Sequence, residues 1–210
     1  MTSLRRPLPR LHAVTDAATL ALADFGVRAA AIAAAGPAVA LHARDRTAGG
    51  AALAAAAARL VALARPPAAL VIVSGRPDVA AATGAHGVQL AATDLAPRDA
   101  RAIAGGWIGR SVHSESEAHA AADEGADYVL AGNVYETRSH PGRVGGGPAL
   151  ISACARAGLP VIAIGGVTLA RLAELRDAGA WGVAAISALW HANDPARTTL
   201  AFLEPWLDAS

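Results

Sequence analysis

Two adjacent glycines late in the chain carry the most specific chemical signal in the sequence. Gly165 and Gly166 follow an apolar segment, and because glycine has no Cβ atom, the backbone N–H groups there can approach an anion closely. Thr168 is placed to cap a following helix, whose N-terminus favours negative charge. Ser187, after the next apolar segment, adds a hydroxyl group. These residues predict a phosphate site, and the alternative is that the glycines form only a tight turn.

Histidines and arginines at the ends of other apolar segments could handle a second anion or a proton. Arg44 and Arg46 could bind phosphate oxygens through paired hydrogen bonds, and the alternative is a solvated arginine pair. Histidine is the residue type that ordinarily changes charge near neutral pH, which makes His42 and His113 candidates for general acid–base catalysis. For His113 the alternative is a structural hydrogen bond near the helix that Ser114 is expected to cap.

The elements that would position these residues alternate between strands and helices. The predicted strands are Leu11–Val14, Ala38–His42, Leu70–Val73, Gly87–Leu90, Trp107–Val112, Asp127–Ala131, Pro160–Ile164 and Trp181–Ile186. Helix-like segments follow them, including 18–35, 51–64, 97–104, 114–124 and 195–207. Strands that alternate with helices indicate βαβ units and a parallel sheet.

Eight such units predict an α/β fold, a single (β/α)₈ TIM barrel over residues 1–210 with a disordered or loosely packed N-terminal extension at 1–10. An open doubly wound sheet is the alternative, but no G-x-G-x-x-G motif follows the first strand. In TIM barrels the active site lies at the carboxyl ends of the strands. The candidate residues named above all follow or end predicted strands, so the sequence predicts that they meet at one mouth.

Composition excludes several classes of function. Charged residues are 17% of the chain and the formal net charge is +1, so we expect neither a disordered protein nor a nucleic-acid partner. Apolar runs too short for a membrane span predict no membrane association. A single cysteine and no signal-peptide pattern predict a cytoplasmic protein. All 18 basic residues are arginine, which excludes a lysine Schiff base.

Several segments together resemble a known family. The runs GRSVHSESEA, GADYVLAGNVYET, VIAIGGV and GAWGVAAISAL, with LHAVTD and HARDR near the N-terminus, resemble the thiamine phosphate synthase superfamily. Within it, they look closest to the TenI-type thiazole tautomerases. The resemblance extends over about 11–190 and implies a small-molecule thiazole phosphate substrate. It also implies a set of phosphate- and substrate-binding residues: Arg44, Arg46, Ser74, Ser111, Thr137, Gly165, Gly166, Ile186 and Ser187.

The departures from the synthase pattern determine the function predicted from the sequence. The synthase joins a pyrimidine methyl diphosphate to a thiazole ethyl phosphate with Mg²⁺, and Gly75 stands where it has a metal-binding aspartate. Its second metal aspartate corresponds to Asp94, and a lysine that contacts the diphosphate is missing. Because diphosphate departure needs a cation held by carboxylates, the sequence favours a TenI-type tautomerase, an isomerase without cofactor or metal.

The predicted catalytic residues of that tautomerase are His42, His113 and Asn133. The tautomerase branch has a histidine at the position of His42, which implies binding of the substrate carboxylate as the alternative role. Asn133 stands where the tautomerase pattern has a histidine, and Glu136 is a further candidate base unless it pairs with Arg138 or Arg143. The alternatives are a Mg²⁺-dependent synthase, a transferase in which Asp94 holds the metal, and a non-catalytic thiazole phosphate binder. A homodimer is a further expectation, since small barrels often expose an apolar helix face.

Overall fold

A computed structural model describes residues 7–65, 68–137 and 145–207, and its strands form a closed parallel barrel. Each strand pairs with the next, and the last pairs with the first. The α/β class and the TIM barrel are therefore confirmed. The strands are β1 (Leu11–Val14), β2 (Val39–Ala43), β3 (Leu70–Ser74), β4 (Gly87–Leu90), β5 (Trp107–Val112), β6 (Tyr128–Ala131), β7 (Val161–Ile164) and β8 (Gly182–Ala185).

Helices follow the strands around the outside of the barrel. None of the helices in the described ranges combines the length and apolar content that crossing a bilayer requires. Short 3₁₀ turns lie at Gly36–Ala38, Leu169–Arg171 and Glu204–Trp206. The α-helices of the described residues are α1 (Ala17–Leu20), α2 (Phe25–Ala33), α3 (Gly50–Leu63), α4 (Pro77–Thr83), α5 (Pro97–Ile103), α6 (Glu115–Asp123), α7 (Gly147–Ala155), α8 (Leu172–Asp177), α9 (Ser187–Trp190) and α10 (Pro195–Leu203).

The predicted single helix over 18–35 is wrong, because the chain forms two helices there. The Asp16 carboxylate accepts a hydrogen bond from Thr19 N at 2.8 Å and begins α1. The chain then turns, and a new helix begins after Asp24, a residue type that is favoured at helix N-termini. The alanine-rich composition continues across the break, so helix propensity alone does not reveal it.

The helix start predicted at Ser114 is confirmed. Ser114 Oγ accepts a hydrogen bond from Glu117 N at 3.2 Å. The Glu117 carboxylate in turn accepts from the backbone N–H of His113 at 2.8 Å, one residue before the cap. This reciprocal pair is a variant of the capping box, and it fixes the chain where β5 ends at the barrel mouth.

The twofold alternation of strand residues places two different sets of side chains on the two faces of the barrel wall. One set packs between strands and helices and includes Leu41, Val73 and Val88. The other set fills the barrel interior and includes Leu70, Ile72, Tyr128, Leu130 and Ile162. Polar side chains in the interior-facing positions near the strand ends are therefore directed into the barrel, and these are His42, Ser74, Gln89 and Ser111.

The first residues of the described chain close the amino-terminal end of the barrel. Leu8 is 5% exposed and packs with the interior residues. Its carbonyl accepts a hydrogen bond from Trp181 Nε1 at 3.2 Å, and the Arg10 guanidinium lies 3.6 Å from the centre of the Trp181 ring. The expectation of a loosely packed extension over 1–10 is therefore wrong for residues 8–10, because an open barrel end needs apolar cover. Residues 1–6 lie outside the described residues.

Candidate active site

Two neighbouring cavities open at the carboxyl ends of the strands. The larger, which we call the mouth cavity, has a volume of about 630 Å³ and is lined by residues at the ends of all eight strands. The smaller, the β7–β8 cavity, has a volume of about 550 Å³. Ile164 and Ile186 line both cavities and so form their common wall. The two cavities can hold two parts of one ligand or two ligands side by side.

The glycine pair gives the β7–β8 cavity its shape. Gly165 and Gly166 have φ of +103° and +64°, in the region that favours glycine. A Cβ atom at Gly165 would lie 2.9 Å from Asn133 Cα, and one at Gly166 would lie 2.6 Å from the Glu136 carbonyl oxygen. Side chains are excluded at both positions, so the backbone itself forms this part of the wall. Thr137, Thr168 and Ser187 add hydroxyl-bearing residues to the lining.

Thr168 does not cap a helix with its side chain as predicted. It precedes the 3₁₀ turn Leu169–Arg171 without a capping hydrogen bond from its side chain, and it is exposed. The chain forms a 3₁₀ turn before α8 begins, so the hydroxyl group is left for the cavity that Thr168 lines.

Arg171 is a residue of this cavity that the sequence analysis missed. Its Nη1 donates a hydrogen bond to the Gly166 carbonyl at 2.7 Å, and its guanidinium lies 3.9 Å from the centre of the Tyr135 ring. The Tyr135 hydroxyl donates to the Glu174 carboxylate. Burial, followed by this hydrogen bond, raises the pKa of Tyr135 to about 12. The sequence does place Arg171 five residues after Gly166, and this short spacing could have indicated that its side chain lies near the glycine pair.

Polar side chains from four neighbouring strands form the floor of the mouth cavity. Gln89 Nε2 donates a hydrogen bond to Ser111 Oγ at 3.1 Å, and Ser74 is paired in register with Gln89 across β3 and β4. Three buried polar atoms of the floor have no hydrogen-bond partner among the described residues: His42 Nδ1, Ser74 Oγ and Gln89 Oε1. Since buried polar atoms are rarely left unpaired, this arrangement is typical of a ligand site.

His42 lies at the bottom of the mouth cavity and contacts a second histidine. Its Nε2 is 2.8 Å from His12 Nδ1, and both side chains are fully buried. Burial, followed by the nearby His12 and Arg44, holds the pKa of His42 well below its usual value. Burial also lowers the pKa of His12 to about 4. Both rings are therefore neutral at pH 7, which makes His42 a hydrogen-bonding group rather than a proton donor at that pH.

His113 and Asn133 follow β5 and β6, and of the two only His113 lines the mouth cavity. The exposed His113 ring lines the mouth cavity and is hydrogen-bonded through Nδ1 to the Gly132 carbonyl oxygen. Asn133 follows Gly132 and is half-buried against Gly165. The structure thus brings the three predicted catalytic residues to one end of the barrel but into different environments.

A family model described as "Thiamine monophosphate synthase" matches residues 11–189. The chain belongs to the thiamine monophosphate synthase family. It is 42% identical over 183 residues to a protein named thiamine-phosphate synthase from Methanoculleus marisnigri, covering 85% of this chain and 86% of that one. It is 39% identical over 148 residues to a protein of the same name from Thermus thermophilus, covering 70% and 72% of the two chains.

A solved structure agrees with these sequence matches. The thiamine phosphate pyrophosphorylase from Pyrococcus furiosus superposes with a TM-score of 0.80 at 33% identity, and the match covers 96% of each chain. A 3-hexulose-6-phosphate synthase superposes with a TM-score of 0.67 at 18% identity, which shows the fold alone. The comparisons do not separate the synthase branch of the family from the TenI-type branch.

The positions at which the family resemblance implies metal ligands lie together at the mouth. Asp94 lines the mouth cavity, and its Oδ2 accepts a hydrogen bond from Ala91 N at 2.7 Å. Gly75 has a φ of +73°, and a Cβ atom there would lie 3.3 Å from Asp94 Oδ2. An aspartate at position 75 would therefore stand beside Asp94. Across the described ranges, no three or more His, Cys, Asp or Glu residues are grouped as a metal site.

The arginines predicted to bind an anion stand at the rim of the mouth cavity. Arg44 is half-buried, Arg46 is exposed, and both line the cavity. Burial, followed by the charge of Arg46, lowers the pKa of Arg44. The buried Thr15 hydroxyl donates to the Arg44 carbonyl at 2.9 Å, which fixes the backbone at this point. Arg138 and Arg143, the expected partners of Glu136, lie outside the described residues.

Proposed function

We propose that this protein is a thiamine-phosphate synthase that joins a pyrimidine methyl diphosphate to a thiazole ethyl phosphate. The observation that carries the proposal is the pair of adjoining cavities, in a chain that matches proteins named thiamine-phosphate synthase over most of its length. The reaction brings together two anionic substrates at one place. Two cavities that share Ile164 and Ile186 as a wall suit that requirement.

The thiazole phosphate occupies the β7–β8 cavity in this proposal. Its phosphate lies against the backbone at Gly165 and Gly166, where the lack of a Cβ atom permits close approach. The Ser187 and Thr137 hydroxyl groups supply further hydrogen bonds, and Arg171 supplies positive charge from the same lining. The ring then extends past Ile164 and Ile186 toward the mouth cavity.

The diphosphate end of the other substrate occupies the rim of the mouth cavity. Arg44 and Arg46, which line this cavity, neutralise the charge of the diphosphate as it leaves. Ser111 lines the same cavity, and its hydroxyl group can donate a hydrogen bond to a phosphate oxygen. In the reaction, the carbon that carries the diphosphate forms a bond to the thiazole ring as its bond to the diphosphate oxygen breaks.

The mouth cavity fits a Mg²⁺ ion that is bound by the protein and the substrate phosphates together. It does not fit one that is held by protein ligands alone. Magnesium usually binds one or two carboxylates together with substrate phosphates, and Asp94 offers one carboxylate in the cavity. The Asp16 and Asp45 carboxylates line the same cavity, and like Asp94 each accepts a backbone hydrogen bond on one oxygen. When bound, the ion would neutralise charge on the departing diphosphate.

The tautomerase that the sequence analysis favours is not confirmed, since the relatives reported above are named as synthases. It remains the second candidate on one observation: of the two positions at which the synthase pattern has metal-binding aspartates, only Asp94 carries a carboxylate, and the other is Gly75. Asn133 counts against it, because an amide side chain does not transfer a proton near neutral pH.

A side-by-side assay separates the two functions. In one tube, the purified protein is given thiazole ethyl phosphate, pyrimidine methyl diphosphate and Mg²⁺, and the joined product and free diphosphate are measured. In a second tube, it is given the non-aromatic thiazole phosphate carboxylate in D₂O and followed by proton NMR. The proposal expects product in the first tube only. Aromatisation with deuterium incorporation and no joined product would establish the tautomerase instead.

A further inference from the structure

The two buried histidines beneath the mouth cavity form a hydrogen-bonded chain that ends at the cavity. His12 on β1 and His42 on β2 are joined by the 2.8 Å contact between Nδ1 and Nε2. His12 Nε2 is 3.3 Å from the Pro9 carbonyl oxygen, on the side of the closed barrel end. His42 lines the mouth cavity, whereas His12 lines neither cavity. His12 can therefore act on a ligand only through His42.

The order of partners fixes which nitrogen of each ring carries the proton. Burial lowers the pKa of both side chains, so each ring is neutral and has one N–H group at pH 7. The Pro9 carbonyl can only accept, so His12 Nε2 carries hydrogen and His12 Nδ1 has the lone pair. His42 Nε2 must then donate to His12. His42 Nδ1 is consequently left as an acceptor, and it has no partner among the described residues.

Two further buried atoms of the cavity floor have no hydrogen-bond partner among the described residues. Gln89 donates through Nε2 to Ser111 Oγ and to the Leu90 carbonyl, so its Oε1 is the side of the amide without a partner. Ser74 Oγ is also buried and unpartnered. His42, Ser74 and Gln89 stand on consecutive strands, with Ser74 opposite Gln89 in register. The Ser74 hydroxyl can donate or accept, but a ligand group that pairs with His42 Nδ1 must be a hydrogen-bond donor.

We propose that His12 is a positioning residue that holds His42 as a hydrogen-bond acceptor, so that the mouth cavity selects an aromatic ring bearing an amino group. The identity of that ring as the pyrimidine substrate rests on the proposed function, whereas the proton positions in the histidine pair do not. A His42 ring in the other tautomer would present an N–H group to the same ligand group and repel it.

The proton positions can be measured directly on the wild-type protein with ¹⁵N-labelled histidine. Long-range ¹H–¹⁵N correlation at pH 7 distinguishes an N–H nitrogen from a lone-pair nitrogen in each ring. We expect lone-pair signals for Nδ1 of both His12 and His42. A His42 ring with hydrogen on Nδ1 would overturn the proposal without any reference to enzymatic activity.

The ligand preference is tested with two small probes in the same spectra. 4-Aminopyrimidine should shift the His42 Nδ1 signal, because its amino group donates to that nitrogen. Pyrimidine without the amino group should bind about tenfold more weakly, the effect of one buried hydrogen bond. Equal affinity for the two probes, or a 4-aminopyrimidine complex without a change at His42, would overturn the selection.

Two variants at position 12 separate positioning from simple packing. His12→Gln keeps an acceptor for His42 Nε2 and a donor for the Pro9 carbonyl, whereas His12→Phe keeps the aromatic packing against Tyr128 and removes both hydrogen bonds. We expect His12→Phe to raise the KM for the pyrimidine diphosphate about tenfold, with kcat and the KM for thiazole phosphate nearly unchanged. His12→Gln should restore the wild-type KM.

The matched control is His119→Gln, at a histidine on α6 whose side chain is 52% exposed, and it should change nothing. Unchanged KM and unchanged His42 signals in His12→Phe would overturn the proposal. Should the wild-type protein form no joined product, the proposed function fails while the NMR spectra still decide the role of His12. Should His12→Phe not fold, the wild-type spectra and the two probes still decide it.

Discussion

The two cavities at the barrel mouth are built from different material. The β7–β8 cavity is shaped by main chain at positions where a Cβ atom would collide with Asn133 or Glu136. The mouth cavity is floored by buried polar side chains, with Arg44 and Asp94 at its edge. Shape therefore determines what the first cavity binds, whereas proton positions and charge determine what the second one binds. Substitutions that fill space should disable the former, and substitutions that alter charge should disable the latter.

The largest effect is expected from Gly166→Val in the β7–β8 cavity. A Cβ atom there would lie 2.6 Å from the Glu136 carbonyl oxygen, so backbone and cavity wall must shift. We expect thiazole ethyl phosphate to bind about a thousandfold more weakly, a loss of about 4 kcal/mol by calorimetry. The control is Gly179→Val, where φ is also positive at +96° and the nearest neighbour of a Cβ atom is Ala155 at 3.6 Å. Equal losses in both variants would contradict the shape argument.

The next largest effect is a loss of folding stability in acid, which the buried histidines beneath the mouth cavity should cause. Folding lowers the pKa of His12 from 6.5 to about 4, so the unfolded chain binds more protons between these values. Stability should be complete above pH 6.5 and fall as the pH drops toward 4. The part due to His12 is at most about 3 kcal/mol. Urea unfolding at pH 7 and pH 5 measures it, and a loss that is as steep in His12→Phe as in the wild type would contradict this origin.

A smaller effect is expected from Asp94→Asn, which tests charge at the mouth cavity. Loss of the carboxylate should lower kcat/KM for joining about thirtyfold, or about 2 kcal/mol, and raise the Mg²⁺ requirement. Binding of thiazole ethyl phosphate should stay unchanged, because the β7–β8 cavity does not include Asp94. Asp99→Asn, at an exposed position in the first turn of α5, is the control. Weaker thiazole phosphate binding in Asp94→Asn alone would show that the two cavities are not separate.

The smallest effect is expected from Arg171→Ala, which removes charge from the cavity that shape dominates. Its hydrogen bond to the Gly166 carbonyl at 2.7 Å and its contact with Tyr135 would be lost. We expect about tenfold weaker binding of thiazole ethyl phosphate, or about 1.4 kcal/mol, measured by calorimetry. Arg176→Ala, at an exposed arginine on α8, should leave binding unchanged. A loss of binding as large as that from Gly166→Val would show that charge contributes as much as shape to thiazole phosphate binding in this cavity.

Much of the fold could be predicted because strand spacing and turn residues are local features. β1, β4 and β5 have the predicted bounds, and Ser114 begins α6 as expected. The break between α1 and α2 was missed because alanine continues through it. Leu8 was missed as part of the closure of the barrel because its position depends on contact with Trp181, which flanks β8 and is far away in sequence.

The site could be predicted only where the structure requires one particular residue type at a position. Gly165 and Gly166 are such residues, since positive φ values and close contacts both require glycine. The role of His12 was not visible in the sequence, because the contact with His42 depends on the register between β1 and β2 and on burial inside the barrel. Arg171 was missed for a similar reason, since its partners Tyr135 and Gly166 come together only when β6 and β7 are adjacent.

The claim that each cavity binds one of the two substrates is tested most directly by adding each substrate separately to the ¹⁵N-labelled protein and recording which signals shift. Thiazole ethyl phosphate alone should shift the backbone amide signals of Gly165, Gly166 and Ser187. The pyrimidine methyl diphosphate with Mg²⁺ should shift those of Arg44 and Asp94, together with the His42 side chain. Both ligands shifting the same set of residues, or neither shifting the Gly165–Gly166 pair, would contradict the account.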